Sequence, residues 1–422
     1  MKGGIAVIHS APMRTKNSDV HYEYRQDSSF YYLTGFNEPE SILVLTPDDK
    51  KVKTRIFLRD KDPLKEQWDG KRLGVEAAAE ELGVDEAFSF GEFSRTMVKF
   101  FENKRRVYVD MFEEPENVQK ILSLCHKAGL KKRSSFGPSE FIHVLDILGP
   151  MRQIKDKMDL DHLREACRIN AIAHKRAMAL AEPGLTEADI HADIFHTYRK
   201  HQTREAYGSI VAGGDNANIL HYIENNQPLK DGDLLLIDAG PEYHCMASDV
   251  TRTFPINGKY SGAAKDLYEA VLSVQKACIE QVKVGNTSMG NHDLSEKLLA
   301  TALLDLKIID GSLDQVLEQK THRKYYPHGL GHWLGLDVHD VGNYRQENAE
   351  PLAFAPGMCL TIEPGLYIPA NDKDANEKFR GIGIRIEDDI LVTEAGNENL
   401  TKDIPKEVSE IEQACATNVA DL

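Results

Sequence analysis

The sequence predicts two domains of different build, an α/β domain over residues 1–150 followed by an α+β domain over residues 151–422. Up to about Gly149, short β-branched and apolar runs alternate with helical stretches, the pattern of a sheet covered by helices. At Gly149-Pro150 the alternation breaks. Beyond it come amphipathic helices and then short apolar strands that end in acidic residues.

In the first domain, Ser41-Ile-Leu-Val-Leu-Thr, Arg55-Ile-Phe-Leu and Arg106-Val-Tyr-Val-Asp read as strands, and residues 75–82 and 118–128 as helices. Asp156 then opens a long helix in which Leu160, Leu163 and Cys167 begin an apolar stripe at i, i+3 and i+7, stopped by Pro183-Gly184. Thr186-Glu-Ala-Asp189 has the form of a capping box that starts the next helix. Residues 209–214 read as a strand, with His221 and Tyr222 following. Leu234, Leu235, Leu236 and Ile237 form a buried strand ending at Asp238, and Gly240-Pro241 signals a turn. A hairpin with its turn near residues 241–244 would return through Val250, Arg252 and Phe254, setting Asp238 and Asp249 side by side. Helices around residues 263–282 and 293–304 separate that hairpin from two further strands. One, residues 358–362, delivers Glu363 just before Pro364-Gly365. The other, residues 384–390, alternates so that Arg385 and Glu387 share a face.

Any one of Asp238, Asp249, Glu363 and Glu387 alone reads as a solvated turn residue, and Arg385 beside Glu387 as a surface ion pair worth about 0–1 kcal/mol. All four together fit that reading poorly. Carboxylates at the ends of apolar strands face several kcal/mol of desolvation each, so they are exposed or something positive binds them. Adjacent carboxylates repel, and a divalent metal relieves the repulsion by direct coordination. The stretch His328-Gly-Leu-Gly-His332-Trp-Leu-Gly-Leu-Asp-Val-His339-Asp340 adds three histidines among glycines that let the backbone approach a ligand. Neutral imidazoles serve as metal ligands or as donors to a developing oxyanion. Asp238, Asp249, His332, Glu363 and Glu387 together look like a two-metal hydrolase site.

Segments Asp233-Leu-Leu-Leu-Ile-Asp-Ala-Gly, Ser248-Asp-Val-Thr-Arg-Thr-Phe, the histidine stretch through Gly342, Thr361-Ile-Glu-Pro-Gly-Leu-Tyr-Ile and Arg380-Gly-Ile-Gly-Ile-Arg-Ile-Glu-Asp-Asp carry a specific resemblance. With Tyr24-Arg-Gln-Asp-Ser-Ser-Phe-Tyr-Tyr-Leu-Thr-Gly-Phe near the N-terminus, they resemble bacterial aminopeptidase P, the Xaa-Pro aminopeptidases of the pita-bread metallopeptidase family. The resemblance implies a creatinase-like mixed-sheet first domain concerned with substrate gating and oligomerisation. It implies a pita-bread catalytic domain in which helices cover a curved antiparallel sheet.

The implied activity is release of the N-terminal residue from peptides with proline in second position. Asp238 would bind one divalent metal, His332 and Glu363 the other, and Asp249 and Glu387 would bridge the pair, four carboxylates balancing two dications. Mn(II) is the family-guided ion, with Co(II), Zn(II) or Fe(II) able to use the same ligands. Glu363 would also move the proton from the attacking water to the leaving nitrogen. His221 and His339 would stabilise the tetrahedral intermediate, each worth roughly 3–4 kcal/mol in comparable oxyanion sites. Arg385, Tyr367, His328 and Tyr207 are implied in holding substrate or orienting ligands, with His328, His339 and Tyr207 forming a slot for the proline ring. Trp68 matches a segment that can lie near a neighbouring subunit's active-site mouth. A homo-oligomer, dimer or tetramer, is expected. The chain begins almost at its first strand, where bacterial members carry an extra helix, so subunit packing is expected to differ.

Composition excludes other classes. The 422 residues are 41% hydrophobic and 28% charged, ordinary for a globular protein with two cores, and the formal net charge of −16 disfavours nucleic acid and anionic membrane surfaces. Six cysteines without a Cys-x-x-Cys spacing suit a reducing compartment, and the N-terminal apolar run is too short for a signal peptide, so a cytoplasmic location is expected. Three rivals stand beside the aminopeptidase. An Xaa-Pro dipeptidase would reject tripeptides, a methionine aminopeptidase would not need the first domain, and a non-enzymatic peptide-binding module would bind no metal.

Overall fold

The computed structural model describes residues 3–48, 51–112, 114–130 and 135–422. The chain divides into two units, Met1–Pro150 and Met151–Leu422. In the first, strands Ile5–His9, Ile42–Asp48, Lys51–Leu58, Glu86–Ser89, Arg106–Val109 and Glu140–His143 form one sheet. Ile42–Asp48 runs antiparallel to both of its neighbours, whereas Ile5–His9 pairs parallel with Arg106–Val109, so the sheet is mixed. Alternation along Ile5–His9 sends Ile5 and Val7 into one core and Ala6 and Ile8 into another. Phe93–Phe101 and Pro115–Gly129 cover the first face, and Ala78 of Val75–Glu81 packs into the second. Both faces are therefore buried, which is why these strands read as nearly continuous apolar runs.

The second unit opens with Lys157–Leu180, whose N-terminus is closed by a reciprocal capping box between Asp156 and Asp159. Leu163, Ala166, Cys167, Asn170, Ala173, His174 and Ala177 are buried along one stripe. Glu187–Lys200 follows, with the expected capping box at Thr186 and Asp189. Leu234–Ala239 lies between Ile210–Gly213 and Val250–Pro255, antiparallel to both. Cys359–Ile362, Asp388–Thr393 and Gly396–Asn399 form a second antiparallel group, and Gly365–Ile368 with Ile382–Arg385 a third. Helices Gly262–Glu280 and Ser288–Asp305 contribute Leu267, Val271, Leu299 and Leu303 to the single large core under these strands.

Three local expectations are corrected. Gly149-Pro150 does not break the chain's regular structure, because Leu145–Gln153 is a helix that contains Pro150; the proline removes only the donor that would have met the Asp146 carbonyl. Residues 241–243 are a strand rather than a turn. They pair with Met246–Ala247 across a two-residue turn at His244 and Cys245, whose φ values of 48° and 63° are the left-handed pair of a tight hairpin. This small hairpin lies beyond the main pair, and Gly240 marks where it departs: a Cβ there would sit 1.7 Å from the Ser248 carbonyl oxygen. Residues 384–390 are two strands, Ile382–Arg385 and Asp388–Thr393, separated at Ile386-Glu387. Gly329 and Gly331 line the cavity as expected, and Gly331 also lets its segment approach Cys359–Ile362, since a Cβ there would be 2.0 Å from the Thr361 carbonyl oxygen.

Candidate metal centre and active site

Strand pairing places the acidic residues before any side chain is considered. Asp238 pairs with Thr251 in the ladder of Leu234–Ala239 with Val250–Pro255, so Asp249 stands just ahead of that second strand. The His332 segment lies along Cys359–Ile362, with Thr361 N–H donating to the His332 carbonyl at 3.0 Å and Glu363 N–H to the Leu330 carbonyl at 2.8 Å. Glu387 N–H donates to the Thr251 carbonyl at 3.0 Å, which ties the interruption between the last two strands to the Asp238 pair. A cavity of about 630 Å³ is lined by all five predicted ligands, Asp238, Asp249, His332, Glu363 and Glu387. Ligand atoms of Asp249, His332 and Glu387 lie within 4.8 Å of one another.

The donor set fits a cation. His332 Nδ1 lies 3.0 Å from the Trp333 carbonyl, which can only accept, so Nδ1 carries the proton. Nε2 then faces Asp249 Oδ2 at 3.4 Å and Glu363 Oε1 at 3.6 Å. Against the four carboxylates stands the Arg385 guanidinium, which binds Asp238 Oδ2 at 2.6 Å. Burial pushes Glu363 up to about 7 and Glu387 well above the carboxylate range, with the charge of Asp249 adding to both. Asp238 is also raised, chiefly by burial. Burial works against the His332 imidazolium, yet the hydrogen bond to Asp249 and the charge of Glu363 raise it to about 9. Left to themselves these groups take up protons to shed charge, and a bound dication releases them.

Behind the cluster lies a polar layer that pattern reading missed. Thr251 Oγ1 donates to Glu387 Oε2 at 2.6 Å and accepts from Arg385 Nε at 3.0 Å. Thr361 Oγ1 reaches Glu363 Oε1 at 3.3 Å and accepts the His332 N–H at 3.1 Å. Asp389 holds the Ser248 hydroxyl at 2.8 Å and the Asp249 N–H at 3.2 Å, and burial together with the nearby Asp249 raises it to about 8. Fully buried Asp388 pairs with fully buried Arg252 at 2.6 Å. The signal was present in part. Every residue of Val250–Pro255 is buried, so its Thr and Arg side chains had to find partners, but alternation alone does not say which.

Of the residues implied to handle substrate, Tyr207, His221, His328, His339 and Arg385 line the cavity. Arg385 is 4% exposed and bonds Asp238, a buried ion pair and not the surface pair with Glu387 that the segment read alone would allow. The Tyr207 hydroxyl lies 2.7 Å from Asp238 Oδ1 and 2.5 Å from Asp249 Oδ1, beside the carboxylates as well as the slot. Tyr367 does not line the cavity; its hydroxyl accepts from Arg385 Nη1 at 3.0 Å and lies 2.8 Å from His328 Nε2. His339 stacks at a tilt on His332, ring centroids 4.1 Å apart. Trp68 belongs to the first unit, on the short helix Pro63–Asp69, where it is 87% exposed.

Comparisons with known proteins show the family. Residues 161–394 match the model of metallopeptidase family M24, and residues 1–108 that of the aminopeptidase P N-terminal domain. The chain is 44% identical to an Xaa-Pro aminopeptidase of Haemophilus influenzae, over 96% of this chain and 92% of that one. It is 42% identical to an Xaa-Pro aminopeptidase of Escherichia coli, over 97% and 93%. The structure of Pseudomonas aeruginosa aminopeptidase PepP superposes with a TM-score of 0.95 at 40% identity, covering 98% of this chain and 94% of that one. A mixed-sheet N-terminal unit, an antiparallel C-terminal unit whose strand ends gather four carboxylates round one imidazole, and likeness along nearly the whole chain lead to one conclusion: the chain belongs to the Xaa-Pro aminopeptidases of metallopeptidase family M24, metal-dependent enzymes that remove the residue preceding a proline.

Proposed function

We propose that Asp238, Asp249, His332, Glu363 and Glu387 would hold two divalent cations, Asp238 serving one, His332 and Glu363 the other, and Asp249 and Glu387 both. The observation that carries this reading is the charge imbalance of the cavity, four carboxylates against the Arg385 guanidinium. With Arg385 counted the cluster is left three charges negative, so one dication leaves it still negative, whereas a pair leaves a single positive charge that a hydroxide would neutralise. Carboxylate-rich ligation with a single imidazole favours a hard ion, and Mn(II) is the ion proposed. When bound, the metal pair supplies an activated water at neutral pH and polarises the scissile carbonyl.

The chain's own residues do the rest. Glu363 accepts the proton of the attacking water at a carboxylate oxygen and passes it to the prolyl nitrogen, which has no hydrogen of its own and leaves only when protonated. His221 and His339, both exposed at the cavity wall, donate to the oxyanion as the carbonyl becomes tetrahedral. Arg385 fixes Asp238 at one end and Tyr367 at the other, and Tyr367 in turn fixes His328. His328, His339 and Tyr207 form an apolar-walled slot for the proline ring, with no acceptor spent on an absent N–H. A homo-oligomer is proposed, Trp68 being the exposed aromatic that a neighbouring subunit would cover. Six free cysteines support a cytoplasmic location.

Metal-stripped enzyme reconstituted with Mn(II), Co(II), Zn(II) or Fe(II) and offered Xaa-Pro peptides of graded length tests the reading. Two bound ions per chain at full activity, Mn(II) giving the highest turnover, and cleavage of Xaa-Pro far faster than Xaa-Ala are expected. Full activity with one ion per chain overturns the dinuclear assignment.

A further inference from the structure

Glu187 is fully buried, and among the described residues it makes no ion pair. Its carboxylate is satisfied by neutral donors. The Gly213 N–H and Asn216 Nδ2 meet Oε1 at 2.8 Å each, and the Tyr222 hydroxyl at 2.7 Å and the Gln227 N–H at 2.8 Å meet Oε2. The Glu187 N–H itself donates to the Gln227 carbonyl at 2.9 Å. All of these partners belong to residues 213–227, which carry His221 to the cavity wall.

Around the histidine, exposed side chains alternate with Tyr222, which packs with Ile210, Ala212, Ala217 and Leu236. Ile219 is 54% and Ile223 65% exposed, and His221 is exposed, whereas Tyr222 is 5% exposed and faces inward to Glu187. Tyr222 is the anchor next to His221 in sequence, with Asn225, which meets the Val211 N–H and the Ser209 carbonyl, and Asn218, which meets the Ile368 carbonyl, holding the segment on either side. A buried carboxylate is a demanding way to hold a loop, since each donor it loses leaves a desolvated charge less well bound. The N-terminus of Glu187–Lys200, where Glu187 is the first residue, favours that negative charge.

We propose that Glu187 is a positioning residue for His221, acting through Tyr222 and the two ends of the loop. The proposal rests on His221 being an oxyanion donor, and the test separates the two. Glu187→Gln sets an amide N–H against one pair of donors, and Tyr222→Phe removes one hydrogen bond while leaving the carboxylate its other partners. Each is made with and without His221→Ala, and kcat and KM are measured on an Xaa-Pro tripeptide with the metal-loaded enzyme. Glu187→Gln is expected to lower kcat about tenfold and Tyr222→Phe on the order of threefold, with KM little changed, because a small misplacement of a donor weakens transition-state contacts first. In the His221→Ala background neither change should lower kcat further. Equal fold-losses in both backgrounds overturn the proposal and leave Glu187 a purely structural residue. A His221→Ala enzyme with unchanged kcat overturns the oxyanion assignment and the proposal with it. Should the Gln variant not fold, Tyr222→Phe decides the matter by the same comparison.

Discussion

At the scale of single residues, ligand and support make different predictions. Asp249 touches Tyr207 and faces His332, and its N–H is held by Asp389. Asp249→Ala should remove bound metal and drop turnover by about a thousandfold or more, the loss expected when a site loses its means of forming the nucleophile; metal analysis and peptide hydrolysis on the same sample check it. Thr251 reaches Glu387 and Arg385 through its hydroxyl and lies fully buried. Thr251→Val keeps the shape and removes that hydroxyl, so metal affinity should fall about 10–100-fold while the fold persists, as for other groups that orient a metal's ligands. A competition titration with a chelator reads it. An unchanged metal affinity would reduce the threonine to packing. The five candidate ligands were legible because Asp238 and Glu363 end apolar runs, Asp249 and Glu387 flank strand segments, and His332 lies in a stretch rich in glycine and histidine. Thr251, Thr361 and Asp389 were not, because a hydroxyl or carboxylate in a strand announces a partner only when the opposite strand is known.

Among elements, the loop that bears His339 is held by charge. Asp340 is 1% exposed at its side chain and lies between Arg152 Nη2 at 2.5 Å and Lys155 Nζ at 3.0 Å, and Arg152 also binds Asp337 at 2.7 Å. Asp340→Ala would leave the wholly buried Lys155 ammonium unpaired and should cost about 3–5 kcal/mol in denaturant unfolding. Lys155→Met leaves Asp340 its Arg152 partner and should cost clearly less. Equal costs would show that the loop is held by packing rather than by this cluster. Element positions were largely readable: Val75–Glu81, Pro115–Gly129, Gly262–Glu280 and Ser288–Asp305 fall where periodicity set them. The small hairpin beyond Gly240 was not, because Gly-Pro signals a change of direction without saying whether pairing resumes after it.

At the scale of the whole molecule, stability carries a pH signature. His174 is 1% exposed, its Nδ1 has no partner, and Nε2 lies 3.2 Å from the Ala239 carbonyl, to which a neutral ring donates. Burial, helped by the charge of Arg252, lowers its pKa to about 3, against about 6.5 in the unfolded chain. The unfolded state therefore binds the extra proton between these values. The stability contributed by neutral His174 is complete above pH 6.5 and is lost as pH falls through that window, by about 1.4 kcal/mol per pH unit. Urea titrations of metal-saturated protein between pH 6.5 and 4.5, compared with His174→Gln, should show a steeper decline in the wild type. Parallel declines would remove His174 as the cause.

The sequence by itself determined most of the helices and main strands, the five candidate acidic and imidazole ligands and the family, because each of these is written in local periodicity, turn residues and short motifs. Tertiary structure alone decided that Arg385 binds Asp238, that Gly331 lets its loop approach the strand Cys359–Ile362, and that Glu187 ties down the loop of His221. The reason is distance along the chain. Arg385 and Asp238 are far apart in sequence, and which buried polar groups meet depends on strand register and the crossing of loops, quantities that no local pattern contains.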